Sequence, residues 1–180
     1  MIISISGKAG SGKSTIARLL SKKLGLKHYS SGDFMRDIAK ENKLTLLELS
    51  KLAEKEIWVD KELDSRQKKL GEKEDNFVID GRLSWHFIPK SAKIYLDVED
   101  KAAAKRIWGD KINRKEESYK DIKELAKKLN QRQASEIKRY KKYYNLNYHD
   151  KKNYDLIIDT SNLTPDTIVK NIIGFVKKKR

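Results

Sequence analysis

The sequence predicts an α/β chain, a parallel sheet covered by helices on both faces, and three observations lead there. The first is a glycine-rich turn, Gly7-Lys8-Ala9-Gly10-Ser11-Gly12-Lys13-Ser14-Thr15, set between the apolar run Ile2-Ile3-Ser4-Ile5 and a helix pattern. The second is the alternation of short apolar runs with helical periodicities along the chain. The third is that distinctive polar and charged residues follow the ends of those runs, at the edge where parallel sheets collect ligands.

In order, the strand candidates are residues 2–6, 28–30, 77–80, 93–97 and 156–159. The helix after the glycine-rich turn is marked by Ile16, Leu19, Leu20 and Leu24, and Gly25 stops it. Ser30-Ser31-Gly32-Asp33 reads as a turn and a helix start. Leu46, Leu49, Leu52 and Ala53 mark another helix, and Ile122, Leu125 and Leu129 open a long one running to about Tyr144. Pro165 starts the last helix, with Thr164 as its N-cap.

The 180 residues suffice for one full domain, expected over 1–180, and exclude two large ones. No cysteine is present, which excludes disulfides, thiolate metal sites and cysteine nucleophiles. No leader-like or membrane-spanning apolar run occurs, so a soluble, cytoplasmic chain without a membrane partner is expected. Forty-one Lys and Arg against 26 Asp and Glu give a net charge of +15, a field that favours anionic partners. The plainer reading is a lysine-rich solvated surface, with Lys177-Lys178-Lys179-Arg180 as a tail.

Residues 7–15 form a P-loop in its expected strand–turn–helix context. Gly7, Gly10 and Gly12 permit positive φ, so the backbone N–H groups converge on an anion. Lys13 supplies a point charge for β- and γ-phosphate oxygens, and Ser14 a hydroxyl for Mg²⁺. The helix that follows adds the positive end of its dipole.

A P-loop alone does not separate a kinase from an ATPase or a GTPase. In Ser30-Ser31-Gly32-Asp33-Phe34-Met35-Arg36, Arg36 could clamp a phosphate bidentately or be a surface charge behind a helix cap. In Phe77-Val78-Ile79-Asp80-Gly81-Arg82, a buried strand delivers Asp80 to the Mg²⁺ shell opposite Ser14, and Arg82 toward a phosphate. Arg132, Glu136 and Arg139 share a helix face, either as arginines oriented by a carboxylate at a transfer site or as a salt-bridged solvent face. The guanine signature Asn-Lys-x-Asp is missing, since Asn42-Lys43-Leu44-Thr45 lacks the acid, and this weakens a GTPase reading.

Together these stretches resemble the nucleoside monophosphate (NMP) kinases, and more narrowly the archaeal-type cytidylate kinases. The similarity runs through nearly the whole chain and is most specific at Ser135-Glu136-Ile137-Lys138-Arg139-Tyr140 and Tyr154-Asp155-Leu156-Ile157-Ile158-Asp159-Thr160-Ser161. It implies a three-layer P-loop kinase fold with a five-stranded parallel sheet. It also implies an NMP-binding helical segment near residues 31–73 and a short lid near 109–119, where Lys111, Arg114 and Lys115 cluster. The substrates it implies are ATP and CMP or dCMP, with Mg²⁺ as cofactor. ATP would lie on residues 7–15, with the metal at Ser14 and Asp80. The acceptor phosphate would be held by Arg36 and Arg82, beside Ser31 and Asp33, and the transferred group by Lys13, Arg82, Arg106, Arg132 and Arg139. A second arginine shortly after Arg106 is absent; Asp110 and Lys111 stand there, and Lys111 or Arg114 could substitute as a plain cation.

The reaction expected is in-line attack by an acceptor phosphate oxygen on the γ-phosphorus, with no general base, since that oxygen is already anionic. Cytosine shows an amino donor beside two acceptors, so a carboxylate and a cation or hydroxyl are needed. Asp60, Asp64 and Arg66 are the candidates, with exposed helix charges as the competing account. The rivals are an adenylate kinase or another small-molecule P-loop kinase and, further off, a nucleic-acid-binding ATPase suggested by the charge. A monomer without a nucleic-acid partner is the expectation.

Overall fold

The computed structural model describes residues 1–110 and 119–179. The order is β1 (Ile2–Gly7), α1 (Lys13–Leu24), β2 (Lys27–Ser30), α2 (Ser31–Glu41), α3 (Leu46–Lys55), α4 (Ile57–Lys73) and β3 (Phe77–Asp80). Then follow α5 (Ser84–Phe87), β4 (Ala92–Asp97), α6 (Asp100–Gly109), α7 (Ile122–Tyr144), a 3₁₀ turn at Lys151–Asn153, β5 (Leu156–Asp159) and α8 (Pro165–Lys178). Among the described residues the strands form one sheet in the order β2-β3-β1-β4-β5, every pair parallel. The strand bounds differ from the sequence reading by a residue at most. β1 runs on to Gly7 because Gly7 still pairs with Leu96.

Alternation along the strands divides the core. Ile3, Ile5, Val78, Ile94, Leu96 and Ile158 face one side, where Ile16 and Leu20 of α1 and Ile168 and Ile172 of α8 cover them. On the opposite side Tyr95 packs with Leu83, Phe87, Tyr140 and Tyr148, and Ile2, Phe77 and Ile79 pack with Ile88. This is a three-layer arrangement, helices on both faces of a parallel sheet.

Local chemistry sets the helix starts. Ser30 caps α2 by accepting from Gly32 N, Thr45 and Glu48 make a reciprocal capping box on α3, and Thr164 caps α8 with Pro165 in its first turn. Two helices lack a clear apolar period in sequence: α5 has four residues, and the buried side of α6 is mostly alanine, Ala103 and Ala104. Helices α2, α3 and α4 bury a small cluster of their own, Ile38, Ala39, Leu49, Ala53 and Val59. The cations Lys111, Arg114 and Lys115, and most of the lid expected at 109–119, lie outside the described residues. Among the described residues no helix is long and apolar enough to cross a membrane.

Candidate active site

The P-loop turns out of β1 and into α1 through three glycines at positive φ, 141° at Gly7, 78° at Gly10 and 88° at Gly12. A Cβ on Gly7 would lie 2.1 Å from Leu96 O, and one on Gly10 2.8 Å from the Ala103 backbone, so the loop can lie against β4 and α6 only as glycine. Lys13 Nζ donates to Gly7 O at 2.9 Å and to Lys8 O at 2.6 Å. Desolvation, followed by repulsion from Arg82, lowers its pKa to about 7 against the pull of Asp80 and Glu136. Lys8 reaches Val98 O and Asp100 Oδ1, each at 3.3 Å, and Ser11 Oγ is buried without a hydrogen-bond partner.

Asp80, at the carboxyl end of β3, is only 4% exposed, and three side chains converge on it. Ser14 Oγ donates to its Oδ2 at 2.7 Å and Ser30 Oγ to the same oxygen at 3.3 Å. His28 Nε2 meets Oδ1 at 2.7 Å. Ser14 and Asp80 thus face each other across the foot of the P-loop, as the motif requires. His28 carried no signal in the sequence, because nothing local tells which strand β2 lies beside.

The arginines sort by which nitrogen is engaged. Arg82, Arg132 and Arg139 are each held through Nε by a buried carboxylate: Arg82 by Glu136 Oε2, Arg132 by Glu136 Oε1 at 3.1 Å, and Arg139 by Asp60 Oδ2 in an ion pair of 3.0 Å. Burial opposes ionisation of Glu136, but Arg82 and Arg132 outweigh it and hold the carboxyl below the usual range. Tyr148 adds a hydrogen bond to Glu136 at 3.4 Å and lies beneath the Arg82 guanidinium. Arg36 and Arg106 are engaged through their terminal nitrogens instead, and Arg66 through both Nε and a terminal nitrogen. Arg36 pairs with Asp33 at the exposed start of α2. Arg66 pairs with Glu62 on its own helix and Glu41 on α2. Arg106 grips Thr160 and Ser161, which places it on the β5–α8 loop, and Thr160 in turn donates to Ser11 O.

Asp60 and Asp64 are not exposed helix charges: they are 4% and 8% exposed, on the side of α4 that faces α7. Asp64 accepts from Tyr144 Oη. Burial, with Asp60 nearby, raises the Asp64 pKa to about 7 against that hydrogen bond. Gln67 and Ser84 form a buried pair at 2.6 Å below them. Arg66 does not join this group. Ser31 stands over Gly81, where a Cβ would meet its Oγ at 2.8 Å.

A cleft is lined by Lys8 and Ala9 of the P-loop, Asp100 of α6, Arg132 of α7, and Arg82 and Tyr148. Lys8, Arg82 and Arg132 thus meet around one space at the carboxyl edge of the sheet. Comparison with known proteins agrees in fold and family. Shikimate kinase from Aquifex aeolicus superposes with a TM-score of 0.60 at 22% identity, over 99% of this chain and 98% of that one. A cytidylate kinase of Methanocaldococcus jannaschii is 38% identical over 182 residues, 99% of this chain and 100% of that protein. Another, from Natronomonas pharaonis, is 39% identical over 170 residues, 93% of this chain and 85% of that protein. The sequence profile of the cytidylate kinase-like family matches residues 2–162, and the chain belongs to that family.

Proposed function

We propose that the protein transfers the γ-phosphoryl group of ATP to CMP, and to dCMP, with Mg²⁺ as the metal. The observation that carries this reading is the shared cleft, in which the P-loop meets arginines held by Glu136. The P-loop amides and Lys13 would take the ATP phosphates, and the orphaned Ser11 hydroxyl would gain an acceptor. An arriving phosphate also favours the charged form of Lys13, which burial disfavours.

The metal site fits its occupant. Mg²⁺ prefers hard oxygen ligands and keeps several waters, so one hydroxyl and one carboxylate, Ser14 and Asp80, suffice beside phosphate. When bound it supplies charge neutralisation at the β- and γ-oxygens. The remaining work falls to the chain itself. Arg36 and Arg82 hold the acceptor phosphate, and Arg132 and Arg139 meet charge on the transferring group. Because the acceptor oxygen is already anionic, positioning and electrostatics replace a general base. Asp60 and Asp64 offer oxygens for the cytosine amino group from α4, while Arg66 acts as a strut between α4 and α2.

Steady-state phosphorylation of CMP, dCMP, UMP, AMP and GMP with ATP tests the assignment. CMP should give the highest kcat/KM; a higher value for AMP would overturn the reading in favour of an adenylate kinase.

A further inference from the structure

Parallel pairing of β2 with β3 sets Ser30 opposite Asp80 and His28 opposite Val78. Side chains two residues apart share a face of a strand, so His28 and Ser30 both point to the side where Asp80 and α1 lie. The two oxygens of the Asp80 carboxylate are thereby divided. Oδ1 is taken by His28 Nε2 at 2.7 Å, while Oδ2 receives Ser14 at 2.7 Å and Ser30 at 3.3 Å. A carboxylate only accepts, so His28 donates through Nε2–H. Without that donor the carboxylate could rotate about its Cβ–Cγ bond and share both oxygens with the serines.

We infer that His28 is a positioning residue for the metal: it pins Asp80 Oδ1, so that Oδ2 faces Ser14 and the cation held there. The inference rests on the proposed Mg²⁺ role of Ser14 and Asp80. The hydrogen bond of His28 goes to the Asp80 carboxylate. His28 acts through Asp80, as partners behind a metal ligand commonly do, where their loss costs about 10–100-fold in metal affinity or activity.

The test uses the full chain with His28→Gln, His28→Asn and His28→Ala, and Asp80→Asn in parallel. A glutamine amide reaches about as far as the imidazole Nε2, whereas asparagine stops short. Two quantities are read: Mn²⁺ affinity in the presence of β,γ-imido ATP, by electron paramagnetic resonance, and the Mg²⁺ concentration giving half-maximal turnover. His28→Ala and His28→Asn should weaken Mn²⁺ binding and raise the Mg²⁺ requirement by about tenfold or more, with His28→Gln within roughly threefold of wild type. If His28→Ala does not fold, the contrast between His28→Asn and His28→Gln decides the matter. Wild-type Mn²⁺ affinity in the Asn variant, alongside a loss in Asp80→Asn, would leave the metal site standing and overturn the role of His28. Wild-type affinity in Asp80→Asn would instead remove the metal site itself, and the inference with it.

Discussion

Replacing Glu136 by Gln isolates the charge at the centre of the arginine cluster without opening a cavity. In the wild-type protein one carboxylate oxygen serves Arg82 and the other serves Arg132. An amide has a single acceptor oxygen, so one arginine must face an N–H₂ group. The Arg82 side chain is 17% exposed and that of Glu136 10%, which makes theirs a buried pair; Arg132 is 56% exposed and its pairing is screened by solvent. Removing one partner of a buried pair costs about 3–5 kcal/mol, and an exposed pair contributes about 0–1 kcal/mol. The amide oxygen keeps a hydrogen bond to the charged Arg82 worth about 1.5 kcal/mol, leaving a net loss of about 1.5–3.5 kcal/mol. For a chain of this size that is a fall in Tm of roughly 3–14 °C. The measurement is thermal unfolding by circular dichroism in a buffer free of phosphate. Adding ATP should recover more of the Tm in the variant than it adds to the wild type, because the bound anion supplies the missing negative charge. A variant within about 2 °C of wild type, with an equal ATP shift, would refute the claim that Glu136 neutralises Arg82.

Lys13→Ala should retain its circular dichroism spectrum and lose turnover by about 10²-fold or more, since the cation leaves the point where charge develops; near-normal turnover would remove Lys13 from the chemistry. Arg36→Ala and Arg82→Ala should raise the acceptor KM with little change in ATP affinity, whereas Arg132→Ala and Arg139→Ala should lower kcat more than they raise KM. Lysine at position 36 should rescue only partly, as a point charge cannot reproduce the guanidinium fork. Should Arg36→Ala weaken ATP and spare CMP, the acceptor site lies elsewhere. Asp64 titrates near 7 in the folded protein against an ordinary 3.8, so the native state holds a proton that the unfolded chain releases. Its contribution to stability is therefore fully present below about pH 4 and is lost as pH rises to about 7. Asp64→Asn should flatten Tm between those limits and raise it at pH 8 relative to wild type; a parallel, unshifted pH profile would contradict the assignment.

Much of this molecule is decided by residues that act on their near neighbours. The P-loop is legible because its glycines, Lys13 and Ser14 do their work within nine residues, through turn geometry that no other residue types supply. The strands and the caps at Thr164 and Ser30 follow from alternation and side-chain hydrogen bonding over a few positions. Asp80 at the end of an apolar strand is legible for the same reason: a P-loop needs such an acid at the sheet edge. What tertiary structure alone decided are pairings across long stretches of chain. Arg82 and Glu136 are 54 residues apart, Asp64 and Tyr144 are 80 apart, and His28 meets Asp80 only because β2 takes the place beside β3. A sequence pattern gives a helix face but not what covers it, so Asp60 and Asp64 read equally well as solvated charges until α7 is seen to bury them. Arg66 and Arg106 show the converse. Their residue type suits phosphate, but Glu41 on a neighbouring helix and the carbonyls of the β5–α8 loop already engage their terminal nitrogens. An arginine carries five donors wherever it stands, and the packing around it determines which of them are left for a substrate.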